Sequence, residues 1–175
     1  QNFYRWKKYM MEALVCLSLL QTGVSLDLRC SGPDWYEFAD FCYKPFQDKK
    51  TWHDAQTACR NLGADLVSIH NQEEEDFLSL YSKGTSKWIG LKRNPTEGGY
   101  SWSDGTPVSH TNWGYGEPND HEGREECVEM VSSTNGTFSW WNDLNCDAHQ
   151  DWICRITKGK NPILPPVPPS PVPGK

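Results

Sequence analysis

Side-chain oxygens crowd one stretch of this chain, residues 117–143. It reads E-P-N-D-H-E-G-R-E-E-C (117–127) and then, after a short apolar run, W-W-N-D (140–143). Glu117, Asn119, Asp120, Glu122, Glu125, Glu126, Asn142 and Asp143 bring carboxylates and amides together. A hard divalent cation such as calcium takes about six to eight oxygen ligands at about 2.3–2.6 Å from such groups and from backbone carbonyls. The asparagines matter because each adds an oxygen without adding repulsion. The competing reading is a solvated acidic loop, the usual fate of a charge run. Pro118 and the adjoining tryptophans oppose it, since solubility alone has little use for them.

The elements that must position these groups can be read in order. Residues 30–46 alternate aromatic and polar side chains, with Cys30 and Cys42 flanking a turn at Ala39 and Asp40, the pattern of a stapled β-hairpin. Thr51 with Asp54 three residues later starts a helix whose Trp52, Ala55, Cys59 and Leu62 share one face, and Gly63 stops it. L-V-S-I at 66–69 predicts a short strand. Asn71 caps a second helix, with Glu74 in its first turn and Phe77, Leu78 and Tyr81 facing inward, ending at Gly84. W-I-G-L at 88–91 predicts a buried strand. From residue 92 to 126 no helical period survives; a loop this long within a compact domain tends to be functional, and calcium would keep it ordered. Strands follow at 127–131, 139–141 and 152–156. Asn135-Gly-Thr137 is an N-glycosylation acceptor at the tip of the intervening hairpin.

The whole chain sets bounds on these readings. Its 175 residues suit one domain with a sizeable core plus tails, and the net charge of −6 argues against a nucleic-acid partner. Seven cysteines, none in a C-x-x-C pair, point to an oxidising, extracellular setting. Six of them lie between residues 30 and 154, an even count suited to three disulfides, for which sequence allows 15 pairings. Residues 1–25, with basic residues before an apolar run at 13–20 and small residues at 23–25, have the layout of a secretory signal peptide; an apolar tail packed on the domain is the alternative. The apolar run falls short of the roughly 20 residues of a membrane span, so no membrane insertion is expected. Cleavage would remove Cys16, the odd cysteine. Residues 26–158 form the expected domain, and 159–175, rich in proline, an extended linker. Whether further domains flank this segment is open.

The ordered series W-I-G (88–90), E-P-N (117–119), Cys127, W-N-D (141–143), Cys146 and W-I-C (152–154) resembles the C-type lectin domain from about residue 30 to 156. Phrases such as W-S-D-G-T-P-V (102–108) and G-E-P-N (116–119), followed by a proline-rich spacer, are most similar to the carbohydrate-recognition domains of the macrophage mannose receptor, its fourth in particular. The resemblance implies an α+β fold of two helices, small antiparallel sheets and a long calcium-ordered loop. It implies disulfides Cys59–Cys154, Cys127–Cys146 and Cys30–Cys42, and a cis Glu117–Pro118 bond. It further implies that Glu117, Asn119, Glu125, Asn142 and Asp143 hold Ca2+ and, with His121 beside them, bind the sugar. The E-P-N order goes in this family with equatorial 3- and 4-hydroxyls, as in mannose, N-acetylglucosamine and fucose. A second calcium would draw on Glu97, Asp120, Glu125 and Glu126, though Arg93 opposes it. The expected protein is a calcium-dependent receptor lectin for mannose-type glycans, serving endocytosis and without catalysis. No nucleophile motif such as G-x-S-x-G accompanies its five histidines. The rival is a lectin-like module that binds a protein ligand without sugar.

Overall fold

The computed structural model describes residues 28–160; the leader with Cys16 and the proline-rich tail lie outside the described residues. The aromatic alternation does form a hairpin, β1 (Tyr36–Phe38) and β2 (Phe41–Lys50), turning at Ala39, whose φ is +47°. Helix α1 (Trp52–Asn61) starts where Thr51 Oγ1 accepts the Asp54 N–H at 3.2 Å. Helix α2 (Gln72–Ser82) starts where Asn71 Oδ1 accepts the Glu74 N–H at 2.8 Å. These caps satisfy backbone donors that a helix cannot satisfy itself.

Six further strands complete one sheet: β3 (Asp65–Leu66), β4 (Ser86–Arg93), β5 (Tyr100–Trp102), β6 (Cys127–Ser132), β7 (Ser139–Leu144) and β8 (Gln150–Thr157). The order is β1-β2-β8-β4-β6-β7, with β3 on β8 and β5 on β4. Antiparallel pairing prevails, but β4 and β8 run parallel. Period-two alternation sends side chains to two cores. One gathers Trp52, Cys59, Trp88, Trp152 and Cys154; the other gathers Tyr43, Ile89, Leu91, Val128, Met130, Trp141 and Ile153. The three disulfides pair as the resemblance implied. Cys59–Cys154 pins α1 to the central strand β8, and Cys127–Cys146 ties the start of β6 to the segment after β7.

Several local expectations need correction. Strand 66–69 shrinks to Asp65–Leu66, because Val67 instead donates to Ile153 O and accepts from Gly90 N outside a ladder. Tyr81 is exposed, and α2 buries Glu74 and Glu75 beside Leu78. Those two acids find polar partners inside, which a hydrophobic period cannot show. The 92–126 segment contains β5, paired to β4 because the Y-S-W alternation buries Trp102. The strand expected at 139–141 continues to Leu144 and so carries Asn142 and Asp143 themselves.

Candidate functional site

The long loop is stitched to β7 by the protein's own bonds. Trp141 N–H donates to Asn112 O at 2.7 Å and Gly114 N–H donates to Trp141 O at 2.8 Å, so residues 112–114 run along the strand. Trp141 is fully buried beneath, in edge contact with the buried Trp102 and the half-buried Trp113. Its indole N–H donates to the buried Glu75 carboxylate, which Ser139 Oγ also approaches at 2.5 Å. Burial pushes the Glu75 carboxyl above its ordinary value, against the donors around it.

Two residues further along β7, Asp143 fastens the E-P-N segment. Its side chain is fully buried and accepts from Asn119 N–H (2.9 Å), Asp120 N–H (2.9 Å) and the Tyr100 hydroxyl (3.1 Å). The Glu117–Pro118 bond is cis. Asn119 Nδ2 donates to Glu117 Oε1 at 2.9 Å, pairing an amide and a carboxylate on one edge. Glu117 Oε2 is covered yet has no hydrogen-bond partner. Burial, reinforced by the neighbouring Asp143 carboxylate, raises the Glu117 carboxyl above the ordinary glutamate value. Two acids held together with an unanswered oxygen suit a hard cation bound by oxygens.

The remaining expected ligands are placed less uniformly. Asn142, half-buried, donates Nδ2 to Glu129 Oε1 at 3.0 Å, leaving its Oδ1 available. Glu129 also accepts from Gln150 at 2.7 Å, and burial raises its carboxyl. Glu125 turns Oε2 to the His121 N–H at 3.0 Å, and its own N–H donates to Asp120 Oδ1 at 3.1 Å. The His121 ring stands in solvent, 3.9 Å from Glu122. Among the described residues no three carboxylate, histidine or cysteine groups converge closely enough to hold a metal. The fit therefore depends on the amides as well as the acids. Of the second-calcium set, Asp120 Oδ1 accepts the Glu125 N–H, while Asp120 Oδ2 meets Arg93 at 3.0 Å, Glu126 faces Lys92 at 3.9 Å, and Glu97 stays exposed on the turn with Asn94.

Sequence reasoning missed Tyr100 and Glu129. Glu129 carried a signal, being the only acid in the apolar run C-V-E-M-V. Tyr100 carried none, because its role depends on β5, a three-residue strand that sets no period of its own.

Comparison with known proteins bears on the fold. The family model for the lectin C-type domain matches residues 48–156. The mouse low affinity immunoglobulin epsilon Fc receptor is 41% identical over 122 residues; the match covers 69% of this chain and 35% of the receptor, so the chain spans about a third of that relative. A solved cow C-type carbohydrate-recognition domain of CD23, determined in the presence of GlcNAc2Man3 oligosaccharide, superposes with TM-score 0.67 at 36% identity, covering 75% of this chain and 99% of that one. A calcium-independent type II antifreeze protein also superposes with TM-score 0.67, at 28% identity over 77% of this chain and 99% of its own. With the helices, sheet and three cystines in the arrangement the resemblance implied, and a family match over more than half its length, the chain belongs to the C-type lectin domain family.

Proposed function

We propose that this domain binds mannose-, N-acetylglucosamine- or fucose-type glycans through one calcium ion held by Glu117, Asn119, Glu125, Asn142 and Asp143. The covered, partnerless Glu117 Oε2 beside the Asp143 carboxylate is the observation that carries the reading. When bound, the ion supplies coordination positions for a pair of vicinal hydroxyls. Glu117 and Asn119 present an acceptor and an N–H donor on the same edge, the complement of hydroxyls that both donate and accept. Their order carries the preference for the mannose type over galactose. The oligosaccharide named with the CD23 domain supports that class. Likeness to mannose-receptor domains belongs to the same proposal, as do an extracellular location, glycosylation at Asn135 and a part in endocytosis. Arg93 against Asp120 and Lys92 near Glu126 oppose a second ion, so the proposal is for one.

A second reading, a protein ligand without sugar, is favoured by the mouse relative's name as an immunoglobulin receptor and by the calcium-independent antifreeze protein, which shows that the fold does not require calcium. Calorimetric titration with methyl mannoside and methyl galactoside, each in calcium and in excess chelator, separates the two. Mannoside heat that vanishes with chelator supports the first reading. No sugar heat despite calcium binding moves the assignment to the second.

A further inference from the structure

The geometry points to an aromatic platform beside the calcium site, centred on Tyr115, that receives a second sugar ring and makes the domain selective for oligosaccharides over monosaccharides. This inference rests on the glycan reading above and extends the same site. Tyr115 is the most exposed large hydrophobic side chain among the described residues, at 107% of its reference area. The other exposed aromatics have ring neighbours: Tyr36 lies on Tyr81, and Phe138 on Trp140. Tyr115 has neither ring nor hydrogen-bonding partner among the described residues.

Its backbone, by contrast, is fixed. Gly114 N–H donates to Trp141 O at 2.8 Å, and Glu117 N–H closes a turn on Gly114 O at 3.0 Å, with Gly116 at φ +85°. The side chain therefore projects from a rigid turn two residues before Glu117, within roughly 7 Å along the chain. Gly114 also brings a second aromatic to the site. A Cβ there would lie 2.7 Å from Trp140 Cδ1 and 3.5 Å from Glu117 Cγ, so only glycine lets the Trp140 ring close against the turn. Trp140 occupies the same face of β7 as Asn142, two residues on. Phe138 stacks behind it with ring centres 5.8 Å apart. Trp140 thus borders Glu117, and Tyr115 stands on the same turn two residues before it, on the outer side of the groups that would hold the first sugar. Pyranose rings carry apolar C–H faces that pack on aromatic faces, and a tyrosine with only two side-chain torsions orders at low cost.

The test measures affinities of methyl mannoside and the α-linked dimannosides for the full chain in calcium. At least one dimannoside should bind about three- to tenfold more tightly than the monosaccharide, beyond the statistical factor of about two for its two ends. Tyr115→Ala should erase that gain and leave methyl mannoside within about twofold, while Tyr115→Phe keeps it. A gain unchanged in Tyr115→Ala, or equally lost in Tyr115→Phe, overturns the stacking platform but leaves the glycan reading standing. Absence of calcium-dependent methyl mannoside binding overturns both.

Discussion

Replacing Asp143 by Asn should separate the structural job that this carboxylate performs from the calcium ligation proposed for it. In the protein without calcium, Asn keeps an oxygen for the Asn119 N–H but turns an amide toward Asp120 N–H and Tyr100, where Asp143 now accepts at 2.9 and 3.1 Å. Each lost hydrogen bond costs about 1 kcal/mol. The change also removes the charge that helps hold the Glu117 carboxyl high, which returns part of that loss. Stability without calcium should therefore fall by no more than about 2 kcal/mol. Calcium affinity should fall much further, about a hundredfold, or roughly 2.7 kcal/mol, because a charged ligand becomes neutral. At a calcium concentration about one hundred times the wild-type Kd, linkage stabilises the wild type by about 2.7 kcal/mol and the variant by only about 0.4 kcal/mol. For a domain of this size that is a melting shift of roughly 10 °C shrinking to one or two. Thermal unfolding in calcium and in chelator reads both quantities. A variant with the wild-type calcium shift would refute Asp143 as a ligand. A collapse of the chelated variant would show that its structural bonds had been undervalued.

Other expectations follow from neighbouring groups. Burial raises the Glu75 carboxyl from 4.5, so the folded state holds that proton more tightly than the unfolded one. Its contribution is thus most favourable at or below pH 4.5 and declines as pH rises toward the raised value; Glu75→Gln should flatten this slope in urea unfolding midpoints measured from pH 4 to 7, and an unchanged slope would assign it elsewhere. Gly90→Ala places a Cβ 2.8 Å from both Leu66 O and Ser103 Oγ, and should cost about 1–3 kcal/mol by chemical denaturation; neutrality would mean that β3 moves freely. Protons and calcium compete for the same carboxylates, so mannoside affinity at fixed calcium should weaken from neutral to mildly acid pH, and a flat profile would count against carboxylate ligation.

How far the sequence disclosed this molecule depends on whether a feature is local. Thr51 and Asn71 announce their helices because a cap needs only a side chain and an N–H three residues away. The hairpin turn at Ala39, the buried W-I-G-L strand and the tip carrying Asn135 are equally local. Tyr81 misled because helical period says which residues share a stripe, not how wide the buried stripe is; α2 buries Glu74 and Glu75 since Tyr43, Trp141 and Ser139 offer donors from distant parts of the chain. β5 was hidden by the glycines and prolines around it, and Tyr100 with it. The disulfide pairs could not be chosen from spacing, and came only from resemblance.

The loop shows why ligand residues can be legible when their geometry is not. Calcium was expected to order residues 92–126, yet Trp141 holds residues 112–114 through its backbone and Asp143 holds 119 and 120 through its carboxylate. These bonds are made by the protein's own donors and acceptors, and a calcium-independent antifreeze protein shares the fold. What they cannot do is satisfy Glu117 Oε2, or relieve the repulsion between Glu117 and Asp143. Backbone stitching and like-charge crowding at the same strand therefore have different consequences. The first fixes where the loop lies, while the second is what the proposed calcium would relieve. A member of this family could lose the second property by exchanging a single acid and keep its shape, so the presence of both acids, rather than the fold, is what argues for calcium here.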